Sequence, residues 1–462
     1  MVKPPTTPRS HRLGGAALAA VVATAILALP SVSSADLAPP ALEGPIPGAP
    51  PGNPGSPVLS ETYPFFSTWL DLAANGYVEQ EFYLSGLADA YSTAGAKLGS
   101  DVPYRTRLVV RRPISQADFN GTVLVEWQNV TAGYDLDALW NWRHMREGYV
   151  WVGVSAQRVG VNQLRGWSPT RYGALDVTGG GAFVTDQLSY DIFAQAAQAL
   201  KSPGAVDPLT GLDVERVVAI GASQSAGRMT TYYNVVLPQE AAVFDGYAFI
   251  VGSAPTRVGT EPIIQVLSET DVSTPLGRRA DSDVFRRWEV AGAAHSGWEG
   301  QEYRRPISIR DLGAAPVYEC TNPPFSRIQL SQVIEAAYGH LARWVDGAGP
   351  PPHAPYLEFT GTTKARNELG LALGGIQLSQ VAVPTALNTG SNSGQSFCFL
   401  FGTHVPFDDG QLAALYRNHG SYVSAVGATD AANVAAGYIL SADAKLNHRD
   451  AAHSDVGKKK RG

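Results

Sequence analysis

Cysteine is nearly absent: Cys320 and Cys398 are the only two in 462 residues. So low a count excludes a small disulfide-built scaffold or a cysteine-rich zinc module, and no His/Cys cluster has metal-ligand spacing. No metal and no cofactor is expected. Charge is also scarce, at 16% Asp, Glu, Lys and Arg, with a net charge of −6 and a pI near 5.9. That balance offers no electrostatic footprint for nucleic acid. The one basic run, residues 458–461, is terminal and reads as a solvated tail. No tandem repeat is visible. No apolar run reaches the roughly 20 residues a bilayer-spanning helix needs, so stable membrane insertion is not expected.

Apolar residues, at 44%, are plentiful enough for one large core. The chain opens with Lys3, Arg9 and Arg12, then an apolar stretch at 14–29 and small residues at 32–35. This is the layout of a cleavable signal peptide, expected over residues 1–35. The mature protein is then expected to be secreted, in an extracellular or periplasmic location. Residues 36–58 are rich in Pro and Gly and are expected to form an extended, mobile linker. Residues 59–456 are expected to form the folded domain with a helical carboxyl-terminal extension, and 457–462 a basic tail. In an exported chain two cysteines suggest one Cys320–Cys398 disulfide, with two unrelated thiols as the alternative.

The stretch Val-Val-Ala-Ile-Gly-Ala-Ser-Gln-Ser-Ala-Gly at 217–227 organises the rest. It predicts a short buried strand, a tight turn of small residues and a helix. A serine on such a corner, here Ser223, lifts its hydroxyl clear of the backbone at the carboxyl edge of a parallel sheet. Ser225 replaces the last glycine of the G-x-S-x-G pattern and is small enough to fit. A dinucleotide-binding turn is the competing reading, with Asp245 near the distance for a ribose contact. The glycine that would admit a pyrophosphate is missing, however.

Around this stretch, alternating or buried apolar runs predict strands at 77–84, 104–112, 121–128, 149–155, 243–252, 262–267 and 287–291. Helices are expected at 136–146, 186–200 and 330–345, and again near 408–417 and 430–440. Leading strands followed by strand–helix alternation predict an α/β fold, its sheet mostly parallel with an antiparallel end. The glycine-rich segment 157–181 and the irregular 361–392 suit the borders of a cleft. Trp167, Tyr172 and Trp298 are candidates for lining it.

Two later strands end in chemistry. One runs into Ser-Glu-Thr-Asp at 268–271 and the other into Gly-Ala-Ala-His at 292–295. Serine, then acid, then histidine is one of the known chain orders for a Ser–His–acid triad. Ser223 and His295 are the expected nucleophile and base. Asp271 and Glu269 both qualify as the acid. His404 is the rival histidine but lies far beyond the strand–helix alternation.

With these residues in hand the chain resembles the α/β-hydrolase superfamily. More narrowly it is similar to a bacterial family of exported serine hydrolases called "alpha/beta hydrolase domain-containing". The matching pieces are Gly-Tyr-Val-Glu-Gln-Glu-Phe at 76–82, Val-Glu-Trp-Gln-Asn at 125–129 and Gly-Ala-Ser-Gln-Ser at 221–225. Ser-Glu-Thr-Asp-Val at 268–272 and Trp-Glu-Val-Ala-Gly-Ala-Ala-His at 288–295 match as well. The resemblance implies an eight-stranded α/β-hydrolase sheet with helices on both faces. It also places the acid at Asp271, with Glu269 in reserve, and the oxyanion donors at the N–H groups of Gln224 and Asn129. The expected activity is hydrolysis of a small-molecule or polymeric carboxylic ester through an acyl-enzyme. Acyl transfer by the same triad, or a non-catalytic binding protein on this fold, are the alternatives.

Overall fold

The computed structural model describes Met1 and residues 39–48 and 62–458. The chain divides into two units, Met1–Ser34 and Ala35–Gly462. Apart from Met1, the expected signal peptide lies outside the described residues, as do 36–38 and 49–58 of the expected linker and 459–462 of the tail. The second unit carries the sheet, the helices and the cavity.

Nine strands build its main sheet among the described residues: β1 (Ala41–Glu43), β2 (Tyr77–Tyr91), β3 (Lys97–Pro113), β4 (Thr122–Trp127), β5 (Val150–Val154), β6 (Arg216–Ala222), β7 (Gly246–Ile250), β8 (Ile263–Ser268) and β9 (Phe285–Val290). Their order is β1-β2-β3-β5-β4-β6-β7-β8-β9. The pairs β1–β2, β2–β3 and β3–β5 are antiparallel, and from β5 to β9 every pair is parallel. This is the expected α/β sheet, mostly parallel with an antiparallel end, plus one short edge strand. That edge strand corrects the reading of 36–58 as a free linker. Leu42 pairs with Leu84 and Glu43 forms an ion pair with Arg105 at 2.7 Å, so the segment satisfies backbone groups of β2 that would otherwise face water.

The parallel strands are apolar on both faces because helices cover both. Alternate residues Val123, Val125, Val217 and Ala219 join one cluster with Ile192, Phe193 and Ala196 of α4 (Ser189–Lys201) and Met229 of α5 (Gln224–Thr231). Leu124, Val218 and Ile220, pointing the other way, join a second cluster with Val333, Ala337 and Leu341 of α7 (Leu330–Val345). All are essentially inaccessible to solvent. Burying each of the larger ones stabilises the fold by about 1.5–3 kcal/mol.

The remaining helices are α1 (Trp142–Glu147), α2 (Arg158–Trp167), α3 (Pro169–Tyr172), α6 (Trp298–Leu312), α8 (Ser379–Ala382), α9 (Asp409–Leu415), α10 (His419–Ala435) and α11 (Ser441–His453). The helix expected over 136–146 is therefore shorter. The buried Glu126 carboxylate accepts the N–H groups of Ala138 and Leu139 at 2.8 and 3.2 Å, which holds that backbone in a turn until Asn141 caps α1. The segment 157–181 carries two helices. A helix expected over 430–440 is interrupted where Gly437, with φ +80°, ends α10.

Strand β3 departs furthest from its sequence pattern. Four arginines fall within 105–112, yet Arg107 and Arg111 are buried. Arg111 stands opposite Glu79 in the ladder and binds Glu79 and Asp137, each at 2.6 Å. Its guanidinium also lies over Trp140 and Trp151. Arg107 binds Glu81 at 2.7 Å. Desolvating such charges is tolerable only because each is paired and hydrogen-bonded.

Candidate active site

Ser223 occupies the corner between β6 and α5 with φ +56° and ψ −115°, a strained conformation for a residue with a side chain. The corner is fastened from several sides. The Ser223 N–H donates to the Ile250 carbonyl at 3.0 Å, and its carbonyl accepts from the Gly227 N–H at 3.0 Å. Ser225 Oγ accepts from the Ala222 N–H and donates to the Ala222 carbonyl, at 3.0 and 2.9 Å. The serine that departs from the usual glycine thus braces the turn. Small residues are required nearby: a Cβ on Gly221 would meet Met229 Sδ at 2.5 Å, and one on Gly252 would meet Ala226 Cβ at 2.7 Å.

Asp271 follows β8 and His295 follows β9, the adjacent parallel strand. Nδ1 of His295 lies 2.6 Å from Asp271 Oδ1. The other carboxylate oxygen accepts from the Ser268 hydroxyl at 2.5 Å and its N–H at 3.2 Å. The His295 N–H donates to Thr270 Oγ1 at 3.1 Å, which fixes the backbone that carries the ring.

Glu269, the reserve acid, is turned away. It is fully buried, forms an ion pair with Arg366 at 2.5 Å and accepts the Gly292 N–H at 2.9 Å. His404 stands on a separate two-stranded ribbon, Ala386–Thr389 with Thr403–Pro406, against Asn388 Oδ1 at 2.9 Å. Burial, with nearby Arg327, pulls its pKa down to about 4.

Ser223 and His295 both line a cavity of about 1110 Å³. Trp298 lines it too. Trp167 and Tyr172 do not: Trp167 packs on Tyr63 and Phe65, and the Tyr172 hydroxyl donates to buried Glu81 at 2.7 Å. No described residue of 157–181 or 361–392 borders the cavity. Its wall comes instead from 140–143, from α6, from the loop 315–327 and from 397–401. The Cys320–Cys398 disulfide, spanning 78 residues, ties the last two of these together. Helix α6 has no clear signal in the sequence because Gly300 and Pro306 interrupt its pattern.

Of the two expected oxyanion donors, the Gln224 N–H stands in the first turn of α5, where N–H groups have no partner within the helix. Its side-chain amide is paired with Gln157, at 2.6 and 3.1 Å. The Asn129 N–H needs correcting. It donates to the Leu136 carbonyl at 3.3 Å in the bridge that closes the 129–136 loop, so it is already committed. The Asn129 side chain has a positioning part instead, donating to the Ala222 carbonyl at 2.8 Å and accepting the Thr131 N–H at 2.8 Å. Nothing in the sequence signals that exchange of backbone for side chain.

Among the described residues no group of three or more His, Cys, Asp or Glu side chains is placed to hold a metal ion. No helix there is long and apolar enough to cross a membrane.

A mixed, mostly parallel sheet covered by helices, with a serine corner and an Asp-bound histidine on one cavity, defines a protein of the α/β-hydrolase fold. The family described as "Alpha/beta hydrolase domain" matches residues 42–449, and the chain belongs to it. No curated protein matches the sequence. Among solved structures, the chain is similar to esterase Est22 with p-nitrophenol at 9% identity, covering 42% of this chain and 64% of that one, with a TM-score of 0.27. It is similar to oligopeptidase B from Trypanosoma brucei with covalently bound antipain at 12% identity, covering 53% and 39%, with a TM-score of 0.28. Oligopeptidase B from Leishmania major gives 10% identity, 51% and 42% coverage, and a TM-score of 0.28. The chain spans less than two-thirds of the length of each.

Proposed function

We propose that this chain is an exported serine hydrolase that cleaves carboxylic esters through Ser223, His295 and Asp271. The observation that carries the reading is the 2.6 Å contact of His295 Nδ1 with Asp271 Oδ1, with His295 lining the same cavity as a serine on a strained corner. A hydroxyl is a weak nucleophile at neutral pH, so Nε2 of His295 takes the Ser223 proton as Oγ attacks the acyl carbon. The same nitrogen then returns the proton to the leaving alcohol. Asp271 fixes the tautomer with the proton on Nδ1 and stabilises the imidazolium that forms. The Gln224 N–H, at the positive end of α5, stabilises the oxyanion, and water completes the cycle by hydrolysing the acyl-enzyme. No cofactor or metal enters these steps. A disulfide in a chain with a signal-like leader supports an oxidising, extracytoplasmic location.

The reading is tested with a fluorophosphonate probe, which reacts with an activated serine. Labelling of the wild-type chain, lost in Ser223→Ala, is the expected result. An unlabelled wild-type chain with no turnover of simple esters would remove the hydrolase from consideration.

A further inference from the structure

The cavity beside Ser223 and His295 holds a guanidinium that no carboxylate among the described residues neutralises. Arg304, on α6, lines the cavity, and Nη2 donates to Ser296 Oγ at 2.8 Å. Ser296 directly follows His295 and is itself anchored by its N–H on the Leu400 carbonyl at 2.9 Å. An arginine has five N–H donors, so most of this one's capacity is unspent. Tyr134, Tyr303 and Tyr318 line the same cavity, and burial lowers the guanidinium's pKa, although an arginine keeps its charge in a protein.

The acidic side chains of the cavity wall are engaged elsewhere or exposed. Asp137, close enough to act on Arg304 through space, is held by Arg111 at 2.6 Å and by the Tyr303 hydroxyl at 3.0 Å. Glu299 is held by Arg143 at 2.5 Å, Asp450 by Arg449 at 3.3 Å, and Glu302 is exposed. The Arg304 guanidinium also folds back over the first turn of its own helix. A Cβ on Gly300 would meet Nη1 and Nη2 at 3.2 Å each. The positive end of α6 therefore adds to the same field. A partly desolvated cation without a counter-charge is costly unless a ligand supplies one.

We infer that the ester taken by this site carries a carboxylate of its own, held by Arg304. The inference rests on the hydrolase reading above and names its substrate class: a monoester of a dicarboxylic acid, or an ester whose alcohol is a hydroxy acid. Because Arg304 binds the neighbour of the group that protonates the leaving alcohol, the alcohol half is the one expected to bear the charge. Arginine suits the task, since its planar fork matches a carboxylate.

The test uses two matched pairs followed by proton release at constant pH: 4-acetoxybutanoate against butyl acetate, and monoethyl glutarate against ethyl pentanoate. The ratio of kcat/KM for the charged ester to that for its neutral partner is expected to exceed unity on the order of tenfold to a hundredfold in one pair, the range of a charged hydrogen bond. Arg304→Lys, which keeps the charge but not the planar fork, should retain only part of that ratio, and Arg304→Gln should collapse it. A ratio at or below one in both pairs, or one unmoved by Arg304→Gln, overturns the inference while neutral-ester hydrolysis leaves the hydrolase intact. If none of the four esters turns over, the thermal shift given by monoethyl glutarate and 4-acetoxybutanoate in Ser223→Ala decides. A rise abolished by adding Arg304→Gln supports the anion site, and no rise sinks it.

Discussion

Nδ1 of His295 and Oδ1 of Asp271 stand 2.6 Å apart at the ends of neighbouring parallel strands, while Glu269, two residues earlier, points to Arg366. Backbone placement, rather than carboxylate chemistry, separates the two acids. Asp271→Asn is expected to lower kcat on the order of a thousandfold or more with little change in melting, because the amide favours the wrong tautomer. Glu269→Gln should do the reverse. It breaks a buried ion pair and should cost on the order of 3 kcal/mol of stability in urea denaturation while sparing most of kcat. A collapse of kcat in Glu269→Gln alone would reassign the acid.

The corner at Ser223 stores backbone strain that glycine would not feel. Ser223→Gly is expected to be inactive yet more stable than wild type by about 1 kcal/mol. Denaturant midpoints measure this directly, and a lower midpoint would show that the corner is not strained in solution.

Asn129 is predicted to act through the turn it ties down. Asn129→Ala removes the bond to the Ala222 carbonyl and should lower kcat on the order of tenfold, with KM little changed, by loosening the nucleophile's seat. Asn129→Asp keeps the contact with the Thr131 N–H but cannot donate to Ala222, so it should not rescue activity.

His404 gives a pH signature. Its folded pKa, about 4, lies below the unfolded value near 6.5, so between these values the unfolded chain binds more protons. Its contribution to stability is complete above about pH 6.5 and declines as the pH falls toward 4. The difference in melting temperature between wild type and His404→Gln should therefore be flat above neutrality and shrink in acid. A difference that grows in acid would contradict a half-buried imidazole kept neutral in the fold.

The disulfide should matter for both stability and the cavity. Replacing Cys320 and Cys398 together with alanine opens a 78-residue loop and should cost about 4 kcal/mol in the chain-entropy account. Because Tyr318, Phe325 and Phe401 pack beside it on the cavity wall, KM should rise more than kcat falls.

Much of this arrangement is legible in the sequence because it is local. The corner at 221–225 needs small residues on both sides, and the strands after it are continuous apolar runs ended by Asp271 and His295. Contacts between distant segments leave no such trace. Arg111 looks solvent-facing until Glu79 is found opposite it in the ladder. The commitment of the Asn129 N–H depends on the carbonyl of Leu136 across a loop. Trp167 and Tyr172 read as pocket aromatics but are drawn away by Tyr63, Phe65 and Glu81. The cavity's own wall comes from α6, whose Pro306 and Gly300 hide its periodicity, and Arg304 is hidden with it.

The three residues Ala41 to Glu43 set where a shortened version of this chain can begin. Trimmed back to residue 59, the protein would present the backbone of Tyr83, Leu84 and Ser85 as a ready template for strand-to-strand docking by a second molecule. Turbidity on concentration, cured by restoring the short strip, is the expected result of removing that proline-rich stretch.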